Sequence, residues 1–102
     1  MKFLAIMGHG ETRPKVRDLF RKYQVSMFSS MDIRGCNCDK KGIDALSWWP
    51  ADQMLGVYSS LCFAIVDDHK ADAIMLELEQ SPITVDGDFP ARAFLMNVEK
   101  TV

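Results

Sequence analysis

The stretch RPKVRDLFRKYQVSMFSSMDIRG, residues 13–35, decides the fold, because the spacing of apolar residues changes partway along it. Val16, Leu19, Phe20 and Tyr23 recur at i, i+3, i+4 and i+7, which is one face of a helix. Arg17, Asp18, Arg21 and Lys22 fall largely on the other side. Thr12 stands where an N-cap belongs, and Pro14 sits in the first turn, where a missing N–H costs little. From Val25 to Arg34 the residues suit an extended chain. Ser29, Met31 and Ile33 lie on one face, and Phe28, Ser30, Asp32 and Arg34 on the other. The stretch therefore predicts a helix followed by a strand.

Outward from it the same two patterns recur. Lys2–Met7 is a short apolar run that ends at Gly8-His9-Gly10, as a central strand buried on both faces would. Leu61–Val66 is a second such run. Asp67-Asp68 then offers a cap, and Ala71, Ile74, Met75 and Leu78 repeat the helical spacing over about His69–Gln80. After a loop containing Pro82, Asp86-Gly87 and Pro90, a last strand is predicted over Ala91–Glu99. There Phe94, Met96 and Val98 alternate against Arg92, Ala93, Leu95 and Asn97. Residues 35–58 show no sustained period, and a connection that long within a compact domain usually carries function.

The order β, α, β, long loop, β, α, β is a split βαβ. The expected fold is α+β: a ferredoxin-like βαββαβ sandwich, with a four-stranded antiparallel sheet, two helices on one face and a long loop between strands 2 and 3. One domain over 1–102 accounts for the whole chain. Its strands are apolar enough on both sides that the face without helices invites self-association.

Composition narrows the function. The 102 residues are 48% apolar and 25% charged, the balance of an ordinary globular chain. A net charge of −2 and the lack of a basic stripe give nucleic acid no electrostatic foothold. No apolar run reaches the length of a membrane span, and the N-terminal run lacks a cleavage site, so a cytoplasmic protein with no membrane insertion is expected. Three cysteines do not make a disulfide framework. No Ser–His–Asp pattern, P-loop or HExxH motif stands in the chain, and the reading is of a protein that is not an enzyme.

From Val16-Arg17-Asp18 through Val25 to Gly35, a helix–strand run with Asp32-Ile33-Arg34-Gly35 closing the strand ahead of a long loop, the chain resembles the PII signalling proteins. The Arg92-Ala93-Phe94-Leu95-Met96-Asn97-Val98 stretch is similar to the family's last strand. The resemblance implies a homotrimer with effector clefts between subunits, and a T-loop, here residues 35–58, that controls a partner. That partner is expected to be a membrane transporter or a protein associated with one. The implied effector is an adenine nucleotide (AMP, ADP or ATP), bicarbonate, or both, contacted by Ser29, Arg34, Gly35, Gly87 and Arg92. The family's phosphate loop is reduced here to Asp86-Gly87-Asp88, whose acidic flanks predict that AMP or ADP binds at least as well as ATP.

Two features lie outside that scheme. Cys36-x-Cys38 offers two thiolates suited to a divalent or soft metal ion, and supports an alternative reading as a metal-binding or metal-tolerance protein. Two thiolates fall short of the usual four zinc ligands, so plain loop cysteines weigh against it. Trp48-Trp49 brings two large apolar rings into the long loop and marks it for partner docking, set against packing on its own subunit. Cys62, in an apolar strand, is expected in the core. An enzyme with its site on the open sheet face is a third, weaker reading.

Overall fold

The computed structural model describes residues 1–34, 59–84 and 90–102. Gly35, Cys36, Cys38, Trp48, Trp49 and Gly87 lie outside the described residues. Strand β1 spans Lys2–Gly8, helix α1 Arg13–Lys22, strand β2 Ser29–Asp32, strand β3 Ser60–Val66, helix α2 Asp68–Gln80 and strand β4 Arg92–Asn97. A single 3-10 turn, Gly10–Thr12, leads into α1.

The sheet has the order β2-β3-β1-β4, and every neighbouring pair is antiparallel. Each helix crosses over to a strand that is parallel to the one before it, with a third strand between. This is the expected ferredoxin-like arrangement. The central position of β1 explains its apolar run: Leu4, Ala5, Ile6 and Met7 are all buried.

One face of the sheet carries the core. Leu4 and Ile6 of β1, with Cys62, Ala64 and Val66 of β3, meet Val16, Leu19 and Phe20 of α1 and Ala71 and Ile74 of α2. Leu4, Phe20, Ala71 and Ile74 have no exposure at all. Cys62 is buried, as its place in an apolar strand predicts. Gly8 sits where the chain turns out of β1. A side chain there would meet Thr12 Oγ1 at 3.0 Å and Ala91 Cβ at 3.2 Å, tight contacts that glycine avoids where the chain passes the residue ahead of β4.

Three expectations need correction. Strand β2 is shorter than Val25–Arg34. The Val25 N–H donates to Phe20 O at 2.8 Å and Gln24 takes a left-handed φ of 59°, so these residues close α1. Thr12 does not cap α1 through its side chain. Its hydroxyl donates to His9 O at 2.6 Å, while His9 Nδ1 accepts from Glu11 N–H at 3.0 Å and caps the preceding turn. On β4 Arg92 shares a face with Phe94 and Met96, since Ala93 and Leu95 pack against the core. Asp67 does cap α2, its carboxylate accepting from Lys70 N–H at 2.8 Å.

Candidate functional site

The face without helices is laid out by the strand register. Met96, Phe3 and Ile65 form one row across it. Phe94, Ala5, Phe63 and Ser29 form the next, and Arg92, Met7, Leu61 and Met31 the third. The Phe3 and Phe63 rings stack at 5.5 Å. Met31 is 48% exposed, Ile65 48%, Phe94 36% and Met96 53%. Half-exposed large apolar side chains contiguous over three rows are a surface that water does not favour.

Ser29 and Arg92 share this face, but at its opposite edges. Ser29 is on β2 and Arg92 on β4, with β3 and β1 between them. Three inter-strand steps separate them, about 14 Å. One chain does not bring these two residues together.

At one end of the sheet Asp32, Ser60 and Gly8 share a register row, Arg92 stands beside Met7 one position further in, and Arg34 follows just beyond Asp32. Both stems of segment 35–58 are tied down at this end. Ile33 N–H donates to Ser59 O, Ser59 N–H to Gly8 O and Gly10 N–H to Ser59 Oγ, each at 3.0 Å. Arg13 grips both stems: its Nε–H donates to the buried Ser60 hydroxyl at 2.9 Å, and its guanidinium pairs with Asp32. Arg13, Ser59 and Ser60 went unsignalled in the sequence, because only the sheet order brings the start of α1 to the base of that segment.

The shifted ionisable groups lie elsewhere. Lys22 and the Tyr23 hydroxyl both donate to Glu77 Oε1, at 2.6 and 2.7 Å, and tie α1 to α2. The Lys22 hydrogen bond, then that of Tyr23, holds the Glu77 carboxyl below its ordinary value, and Glu77 in turn raises Lys22 and Tyr23. The N-terminal ammonium at 2.9 Å lowers Asp68. Among the described residues no group of three or more His, Cys, Asp or Glu is placed to hold a metal ion. No helix among them is long and apolar enough to cross a membrane.

No protein-family model and no curated protein matches the sequence. Solved structures do match. A protein of Thermus thermophilus described as PII-like signalling superposes with a TM-score of 0.64 at 12% identity, over 95% of this chain and 84% of its own. The chain has the PII-like fold. CPII, a nitrogen regulatory PII-like protein from Thiomonas intermedia, superposes with a TM-score of 0.60 at 13% identity, over 99% of this chain and 94% of its own. The CPII structure holds ADP, AMP and bicarbonate. Within this PII-like fold, β2, β4 and the tied stems of segment 35–58 are the elements that carry the described candidate residues Ser29, Arg34 and Arg92.

Proposed function

We propose that this protein is a PII-like regulator, not an enzyme. It senses a small effector in clefts between copies of the chain and passes that state to a partner through segment 35–58. The observation that carries the reading is the placement of Ser29 and Arg92 on one face but at opposite edges of the sheet. A site that uses both residues needs two copies, and the exposed apolar rows between them supply a surface for the copies to share.

The assembly is a homotrimer packed through the open face. Its effector is an adenine nucleotide, bicarbonate or both, by analogy with what the CPII structure holds. Ser29 faces the base, while Arg34, Gly35, Gly87 and Arg92 border the phosphates or the bicarbonate. The acidic flanks of Asp86-Gly87-Asp88 weaken the hold on a third phosphate, so AMP and ADP bind at least as well as ATP. Segment 35–58, with Trp48 and Trp49, docks a cytoplasmic partner surface, that of a membrane transporter or its associated protein.

Calorimetry with AMP, ADP, ATP and bicarbonate on the wild type and Arg92→Ala tests the reading. Loss of a hydrogen bond from a charged group predicts a tenfold or larger weakening of nucleotide binding, from about 1.5–3 kcal/mol. Tight ATP binding that ignores Arg92 would contradict it.

A further inference from the structure

The helix layer carries a groove along the seam between α1 and α2, on the side of the molecule away from the open face. It holds about 270 Å³. Small-molecule sites commonly begin near about 300 Å³, so a metabolite of amino-acid size matches this groove better than a nucleotide. A tie crosses the seam at each end. At one, Lys22 Nζ and the Tyr23 hydroxyl donate to Glu77 Oε1. At the other, Lys15 Nζ donates to the Thr84 carbonyl at 3.1 Å.

The floor is apolar. Leu19 is buried, and Leu78 and Ile83 are half-buried against the same core. The walls hold charge in balance: two ammoniums, Lys15 and Lys22, face two carboxylates, Asp18 and Glu77. Lys22 and Glu77 satisfy each other. Lys15 and Asp18 do not. Both are exposed, and neither forms an ion pair among the described residues. Lys15 gives one of its three donors to a neutral carbonyl, and two remain. The Asp18 carboxylate accepts no hydrogen bond from the described residues. Three positions apart on one helix, the two side chains rise about 5–6 Å from each other beside the apolar floor.

That pattern selects by charge. A ligand with only negative charge would meet Asp18 and Glu77, and one with only positive charge would meet Lys15 and Lys22. A zwitterion finds a complement for each of its ends.

We propose that this groove binds a free α-amino acid with an apolar side chain of the size of leucine. Its carboxylate meets Lys15 Nζ and the exposed Ser81 hydroxyl, its ammonium meets Asp18, and its side chain covers Leu19, Leu78 and Ile83. The groove shares no residue with the effector site and lies across the sheet from the face that the copies share. Each copy therefore presents one such site to solvent, and the site does not depend on the effector reading.

The test uses the full chain and L-leucine, with amide chemical-shift titration reading affinity and location together. L-leucine should bind saturably, with shifts at Lys15–Lys22 and Glu77–Ile83. On the wild type, 4-methylpentanoate, which lacks the ammonium, and 3-methylbutylamine, which lacks the carboxylate, should each bind roughly threefold to tenfold more weakly. Asp18→Asn should weaken L-leucine by a similar factor while leaving 4-methylpentanoate unchanged. Lys15→Met should weaken L-leucine while leaving 3-methylbutylamine unchanged, the pairing that a direct contact requires. Both positions are exposed, and thermal melts check that the variants fold. No saturable binding of L-leucine up to its solubility would overturn the proposal. So would shifts that avoid the α1–α2 seam, equal binding of L-leucine and both analogues by the wild type, or wild-type affinity for L-leucine in both variants.

Discussion

Replacing Ile65 by lysine tests assembly through the open face. Ile65 lies on β3 opposite Phe3, and it is 48% exposed in the single chain. Fully burying an isoleucine is worth about 1.5–3 kcal/mol, so closing over the remaining half contributes about 1 kcal/mol per copy. Symmetry repeats that contribution in every copy, about 3 kcal/mol for a trimer. Ile65→Ala should therefore weaken assembly by about a hundredfold in equilibrium constant. Ile65→Lys goes further, because an unpaired ammonium in a closed apolar interface costs several kcal/mol per ion. The side chain leaves the helix-side core untouched, so the fold should persist. Light scattering at micromolar concentration reads the outcome. The wild type should run at about three times 11.6 kDa and Ile65→Lys at 11.6 kDa, with unchanged far-ultraviolet circular dichroism. An Ile65→Lys protein that keeps the wild-type mass would refute the argument, since no apolar interface over this face tolerates three such charges.

Two further expectations concern the helix layer. Gln24→Gly should stabilise the chain by up to about 1 kcal/mol in urea melts, because φ of 59° is strained for a side chain and free for glycine; a loss of stability would show that the strain lies elsewhere. Glu77 is held below its ordinary value by Lys22 and Tyr23, so its contribution to stability is present above the unfolded-state glutamate pKa and is lost as pH falls through the lower folded value. Glu77→Gln should flatten that acid limb in a series of melts, and an unchanged limb would assign it to other carboxylates.

The helices and central strands were legible because burial imposes a period. Val16, Leu19 and Phe20 are buried on α1, as are Ala71 and Ile74 on α2, and β1 is buried through its middle. What the sequence obscured were places where a residue of one propensity serves another element. Val25 reads as the start of a strand, yet its N–H closes α1 and its side chain sits in the core. Thr12 reads as a cap, but its hydroxyl donates to His9 O instead. The candidate site was legible only as separate residues. That Ser29 and Arg92 share a face and yet stand at opposite edges follows from the sheet order, which no local pattern encodes. The same holds for Arg13, whose grip on Asp32 and Ser60 joins positions far apart in the chain.

The central claim is that Ser29 of one copy and Arg92 of another form one effector site, and subunit mixing tests it most directly. Ser29→Trp and Arg92→Ala are purified separately, each checked for trimer mass and for loss of ADP binding. They are then mixed in equal amounts under conditions that let subunits exchange, and ADP binding is measured again. If each site draws Ser29 from one copy and Arg92 from its neighbour, random mixing restores about a quarter of the wild-type sites. No restored binding after verified exchange would place both residues in the site of a single chain, or in none, and would contradict the account.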